Sequence, residues 1–380
     1  MEQAVTYETG HAADESITDI LSSRDYLTEI LAKDLEQKLD VLDEENNMLL
    51  YALAGISRNS ENPINIVTSS SSSSGKSFTM KTALSLLPEG SVIQLSSATK
   101  QSFFYAHPDT YTGKVLFIEE ADGLKSVLYS IRIMASEGVL SLQTVGMNDK
   151  GERIGQTKQI NTRLAIMLST TDATIKLDDE TRNRFLVLSG NESTELTAKI
   201  IQRNIEKHSL SRSKYHDERK KTIDKHRAFL SAFNPIKVYC ENISPEDIYL
   251  NSTDIVSRRR ITPYLSVIKT IAYTRQYQRQ IYHDGDTEYI LTAREDIELA
   301  NRLLKDLFSK EQEPLTGMTK TFYEALLSFV NDNRKDIPYK DFLFTERSVR
   351  ESLRTWGNTQ VFYYLKELER LGFIVRINGR

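Results

Sequence analysis

Cysteine occurs once, at Cys240, so neither a disulfide nor a zinc ribbon of paired cysteines can form within the chain. That residue reads as an apolar filler. Long apolar runs are also missing: none approaches the ~18 residues that would span a bilayer. The first twenty residues, Met1 to Ile20, have neither a basic start nor an apolar centre. These absences point to the cytoplasm and exclude a membrane partner. The six histidines are scattered, and His208, His216 and His226 fall in a charged stretch that reads as solvated helix and not as a metal centre. Positive charge is in no excess, since 49 Lys and Arg against 53 Asp and Glu leave a net charge of −4. Coating of nucleic acid by bulk charge is thereby excluded, although Lys and Arg can still be concentrated locally.

What remains is ordinary globular chemistry, with 39% hydrophobic and 27% charged residues over 380 positions. That length accommodates two or three domains, each with its own core. Residues 1–60 read as a helical segment, with apolar residues three and four apart over Ile17 to Ile20, Tyr26 to Ala32 and Leu35 to Leu53. From Ile64 the pattern changes to short apolar runs alternating with helices. Strands are expected at Ser91 to Leu95, Lys114 to Ile118, Val139 to Val145, Ile154 to Asn161 and Arg163 to Ser169, which makes residues 61–190 an α/β domain ending near Leu188. Residues 191–235 read as a polar helical connector, and 236–312 as a helical bundle in which Tyr264 to Tyr277 and Arg294 to Phe308 are strongly periodic. Pro314 and Gly317 mark a linker into a last unit, 313–380.

The most informative segment runs from Ser70 through Ser72, Ser73 and Ser74 to Gly75, Lys76, Ser77 and Phe78, after the apolar INIV and before a helix reaching Leu87. It matches G-x-x-x-x-G-K-[ST] except that Ser70 stands for the first glycine. In such a loop backbone N–H groups hold phosphate oxygens, Lys76 supplies charge, and the Ser77 hydroxyl ligates magnesium. ATP and Mg2+ are therefore the expected cofactors, with these residues as the binding set. About forty residues on, the apolar VLFI ends in Glu119 and Glu120. Glu119 is expected to orient the magnesium and Glu120 to act as general base toward water. A third apolar run, Arg163 to Ser169, leads to Thr171, a candidate for orienting that water. Arg184, just before the apolar LVL, suits an arginine finger reaching a neighbouring subunit's nucleotide.

Together these residues resemble the AAA+ ATPases, and among them the minichromosome-maintenance-like replicative helicases of mobile genetic elements, those of staphylococcal cassettes and phage-type primase-helicases included. The resemblance covers roughly Ile64 to Arg380. Its most discriminating piece is Ile131 to Val145, then Gly146-Met-Asn-Asp-Lys150-Gly-Glu-Arg153 and a returning strand. It looks like the hairpin which that family inserts before the sensor strand. The resemblance implies that Lys150 and Arg153 contact DNA in a ring channel, that Arg184 is the finger, and that one of Arg258, Arg259 and Arg260, with Arg259 favoured, acts on nucleotide from the lid. Departures from the family pattern are Ser70 for glycine, Glu119 for aspartate, and Thr-Thr-Asp at the sensor position.

In the last unit, Thr345 to Leu353 and Thr359 to Leu371 read as two helices, with Asn358 capping the second and FIVRINGR following as a wing. The fold expected is thus an α/β P-loop AAA+ domain with a pre-sensor β-hairpin, a helical lid and a C-terminal winged helix-turn-helix. Such a terminal domain serves regulation and packing as readily as origin binding. The expected function is an ATP-dependent DNA helicase working as a hexameric ring of identical subunits on single-stranded or forked DNA, with a primase or initiator as a further partner. The alternative is a replication initiator or helicase loader that binds origin DNA without processive unwinding.

Overall fold

The apolar spacing of the first sixty residues produces helices α1 (Ala12–Ser23), α2 (Ala32–Lys38) and α3 (Glu45–Ile56), with a π-helical turn at Tyr26–Leu31. The computed structural model describes residues 12–69, 76–96, 98–99, 102–107, 109–119, 127–147, 153–170, 184–191, 193–208, 212–241, 243–250, 257–312, 317–335, 337–370 and 373–377. Leu35 to Leu53 is not one helix. It is interrupted after Leu39, where Asp40 and Asp43 adopt φ of 59° and 49°, a left-handed conformation that aspartate tolerates and a helix interior excludes. Beyond the break, every residue from Met48 to Ile56 is buried. A helix apolar all round belongs in an interior, and α3 packs against both the following helix and the sheet.

The short apolar runs form β1 (Ile66–Ser69), β2 (Val92–Leu95), β3 (Val115–Ile118), β4 (Val139–Met147), β5 (Arg153–Asn161), β6 (Ala165–Thr170) and β7 (Leu186–Ser189). Five of these make one sheet in the order β2-β3-β6-β1-β7, and every pairing in it is parallel. Strands β3 and β6 are buried along their whole length, as strands covered on both faces must be. Parallel neighbours need crossovers, and helices α4 (Lys76–Ser85) and α5 (Leu128–Glu137) lie in two of them. Leu116, Ile118, Ile166 and Leu168 project into one core with Phe103, Ile131 and Met134. Asn65 fixes the start of the sheet, its side-chain oxygen accepting from the Ile166 amide at 2.9 Å and its carbonyl from the Leu186 amide at 2.8 Å.

The expected hairpin is present: β4 and β5 pair antiparallel from Val139 opposite Asn161 to Met147 opposite Arg153. Its root is anchored by Leu140 and Ile160 in the core, whereas residues 153–159 are exposed.

After β7 come α6 (Thr194–Lys207) and α7 (Arg212–Ser231), then α8 (Ser257–Thr274) and α9 (Arg294–Gln312). Residues 236–312, read from sequence as helical, also contain a three-stranded sheet, β8 (Lys237–Tyr239), β10 (Thr287–Leu291) and β9 (Tyr282–Asp284) in that order. Strands of three to five residues are too short to announce themselves by periodicity. Cys240, expected as an apolar filler, is half-buried beside this sheet, and burial raises its thiol pKa. His226 departs from the solvated helix read for it: α7 packs against α1 and α2 and seals the ring completely. Arg275 ties α9 to the N-terminal segment. Its Nε bonds to Asp25 and its Nη1 to Asp296 Oδ1 at 2.5 Å, all three being nearly inaccessible to water. Among the described residues no helix is long and apolar enough to cross a membrane.

The chain divides into two compact units, residues 1–307 and 308–380. In the second, α10 (Gly317–Arg334), α11 (Glu346–Ser352) and α12 (Asn358–Arg370) enclose Phe322, Leu326, Val349, Val361 and Leu368. Phe322 stacks on Tyr364 at 5.3 Å and meets Trp356 edge-on at 5.2 Å. Thr345 caps α11 by accepting from the Ser348 amide at 3.1 Å. Phe373 to Ile377, read as a wing strand, carries no strand pairing; the Asn378-Gly379 turn lies outside the described residues.

Candidate nucleotide site

Because the five strands run the same way, their carboxyl ends share one edge of the sheet. Ser69 of β1 lies opposite Thr170 of β6, and Ile118 of β3 opposite Leu168. Ligands of open α/β sheets bind outside such an edge. Strand β1 stops at Ser69 and α4 starts at Lys76, so the strand and the helix that the phosphate-loop motif requires on its two sides are present. Ser70, Ser72, Ser73, Ser74 and Gly75 lie outside the described residues. Their neighbour Lys76 opens the helix, whose amino end carries unsatisfied N–H groups and a partial positive charge suited to an anion.

Ser77 is half-buried in the first turn of α4 and Phe78 is exposed. The Arg219 guanidinium of α7 stands 5.4 Å from the centre of the Phe78 ring and donates to Thr82 Oγ1 at 2.9 Å. Burial lowers the Arg219 pKa, opposed by Asp40. Glu119 directly follows β3, half-buried, and its carboxylate is bonded to the Lys81 ammonium of α4. Sequence reasoning missed Lys81 and Arg219. The four-residue step from Ser77 to Lys81 was a usable signal, because it puts both on one helix face; nothing local points to Arg219, which arrives from 137 positions away.

Glu120, Thr171 and Lys150 lie outside the described residues. Arg184 is half-buried at the amino end of β7, where Leu186 pairs with Ile66 at the start of β1. It therefore sits at the sheet edge opposite Ser69 and Glu119. Arg258 and Arg259 are exposed in the first turn of α8, and Arg260 is half-buried. Arg153 is exposed where β5 begins, toward the hairpin tip. The structure thus brings Lys76, Ser77, Phe78 and Glu119 to one edge, holds Arg184 at the opposite one and places Arg153 on the hairpin.

A serine hydroxyl and a carboxylate are hard oxygen donors of the sort magnesium takes, and Mg2+ keeps most of its waters beside substrate phosphates. Ser77 and Glu119 fit that requirement. Among the described residues no group of three or more His, Cys, Asp and Glu could hold a metal by itself.

Residues 11–225, more than half of the chain, match the family described as the MTBMA_p00010 P-loop domain. No curated protein matches the sequence. Among solved structures, a full-length MCM homolog from Methanopyrus kandleri is similar at a TM-score of 0.50 and 13% identity, over 80% of this chain. The chain spans 63% of that homolog's length, and the likeness is one of fold.

Proposed function

This chain belongs to the MTBMA_p00010 P-loop domain family, and from that premise we propose that it hydrolyses ATP to drive a DNA helicase, as a ring of identical subunits in the replication of a mobile genetic element. The observation that carries this reading is the placement of the Lys76 helix start and Glu119 on one carboxyl edge, with a long hairpin inserted between β3 and β6. Lys76 and the loop amides hold the phosphates, with Ser77 and Glu119 around the Mg2+ that accompanies them. The ion supplies charge neutralisation at the transferred phosphoryl group. Glu120 takes the proton of the attacking water and Thr171 orients that water.

The position of Arg184 supports action between subunits. The length of β7 alone, four residues at ~3.3 Å each, separates it from the nucleotide edge of its own sheet. In a ring that opposite edge can face a neighbour's nucleotide, where a fixed cation stabilises charge developing on the γ-phosphate. Arg259 on α8 supplies a lid contact to nucleotide. Lys150 and Arg153 at the hairpin tip meet phosphates of single-stranded or forked DNA. In this reading residues 1–60 are an N-terminal helical segment, 61–190 the AAA+ core, 191–235 a connector, 236–312 the lid and 313–380 a winged helix-turn-helix, and the protein works in the cytoplasm with a primase or initiator.

The second reading is an initiator or loader acting through its terminal unit. It is favoured by the exposure of Phe362 and Tyr363 on α12, apolar surface that a partner would cover. Unwinding of forked DNA with ATP decides between the two. The helicase reading expects strand separation by the wild type and none by Lys76→Ala, with the fold of the variant intact. ATP turnover without unwinding on any fork polarity would transfer the case to the initiator, and equal turnover by Lys76→Ala would remove the phosphate-loop assignment.

A further inference from the structure

Lys81 lies one helical turn beyond Ser77 on α4, and its ammonium bonds to Glu119 Oε1 across the gap between α4 and the end of β3. The two side chains are 47% and 32% exposed. An ion pair that open to water adds little to folding, because screening and side-chain entropy cancel most of the attraction. Stability is therefore a poor account of it, and its location is a better one: Lys81 shares a helix face with Ser77 and is bonded to the Glu119 carboxylate, which would face a cation once nucleotide is present.

We infer that Lys81 is a resident counter-ion, which stands against Glu119 before nucleotide arrives and yields the carboxylate to the incoming Mg2+. This rests on the phosphate-loop reading of the site. The Glu119 carboxylate at the end of a buried strand, followed in the sequence by a second acid, would attract a divalent cation from the medium with no nucleotide present. A neighbouring ammonium cancels part of that charge. Lysine suits the task because its charge is a single point on a flexible four-carbon stem with three rotatable donors. It can swing into water without disturbing the helix, whereas a planar, bidentate arginine would hold on. The site is thereby biased toward taking metal and nucleotide together. Lys81 acts through Glu119 and is a positioning residue.

The test measures metal binding on the full-length protein. Free Mn2+, followed by electron paramagnetic resonance in the absence of nucleotide, should bind Lys81→Met about two- to fivefold more tightly than wild type, the range of an exposed ion pair. Lys81→Arg, which holds the carboxylate harder, should bind Mn2+ no more tightly than wild type. In a Glu119→Gln background the effect of Lys81→Met should vanish, since the pair would already be broken. With a fluorescent ATP analogue, and with Mn2+ affinity of the nucleotide-bound protein unchanged, the factor by which Mn2+ raises nucleotide affinity should shrink in Lys81→Met by the same two- to fivefold. Unchanged nucleotide-free Mn2+ binding in Lys81→Met with wild-type circular dichroism overturns the inference, as does an effect that survives in Glu119→Gln. Should Lys81→Met fail to fold, Lys81→Gln keeps a polar side chain without the charge and is held to the same outcomes. If the wild type does not bind the analogue at all, or Lys76→Ala binds it equally well, the phosphate-loop reading has failed; if analogue binding follows that reading and Mn2+ binding ignores Lys81, only the present inference has.

Discussion

His226 Nε2 lies 3.3 Å from Asp34 Oδ2, with the two side chains 0% and 3% exposed. On the other side of the ring the Tyr26 hydroxyl sits 3.3 Å from Nδ1. Burial pushes the His226 pKa down against the pull of Asp34. Burial would raise Asp34, but His226, Lys38 and Lys225 together hold it well below the usual carboxylate range. The interior thus keeps a neutral imidazole beside a carboxylate.

Stability should accordingly decline as the solution is acidified. Below about pH 6.5 the unfolded chain protonates its histidine while the folded one resists, so the unfolded state binds more protons and unfolding becomes easier. A second loss follows as pH falls through about 3.9, where the unfolded chain protonates Asp34 and the folded one does not. Urea midpoints measured from pH 8 to pH 5 should fall in the wild type and flatten in His226→Gln. Parallel profiles for the two proteins would refute the assignment.

Arg275→Met should be among the most damaging single changes in the molecule. It leaves Asp25 without its cation and Asp296 with Arg279 alone, in surroundings nearly closed to water. Breaking one side of a buried pair costs about 3–5 kcal/mol. Denaturant unfolding is the measurement. A loss under about 1 kcal/mol, the range of a surface pair, would mean that the carboxylates are solvated in solution.

Arg184→Ala should abolish ATP turnover while leaving nucleotide affinity within about twofold, because a finger stabilises the transition state and not the bound ground state. Mixed with Lys76→Ala subunits it should regain part of the activity, since some interfaces then pair an intact loop with an intact finger. No regain at any ratio, with mixed assemblies demonstrated by differential labelling, would assign Arg184 to its own subunit.

Replacing both Lys150 and Arg153 by Ala should weaken single-stranded DNA binding and flatten its dependence on salt. Every phosphate that is no longer neutralised takes about 0.7 off the slope of log K against log salt. Fluorescence anisotropy at several salt concentrations reads this directly. An unchanged slope would take the DNA-gripping role away from the hairpin.

The parallel sheet was legible in the sequence because strands buried on both faces must be continuous apolar runs, as at Val115–Ile118 and from Ala165 to Leu168. The hairpin was legible for a different reason, its length and its polar turn. His226 was not, since its neighbours in RKKTIDKHRAF are polar and its burial comes from α2, nearly two hundred residues away in the chain. Nor was the β8-β10-β9 sheet, whose outer strands KVY and YHD are shorter than any recognisable period. The break after Leu39 depends on two aspartates taking a left-handed backbone, a choice that composition permits but does not dictate. At the site itself, the motif located Lys76, Ser77 and Glu119, and geometry was needed to add Lys81.

The arms of the β4-β5 hairpin each run nine residues from a root clamped among Leu140, Ile160 and Met134. Such an arm measures about 30 Å at ~3.3 Å per residue, so a tilt of about 5° at the root sweeps the far end through about 2–3 Å. Its root is covalently continuous with the carboxyl edge of the sheet, through α5 after Glu119 and through β6. The hairpin is in this sense a lever whose fulcrum is the core, and a small change of angle at the root becomes an ångström-scale displacement at the far end.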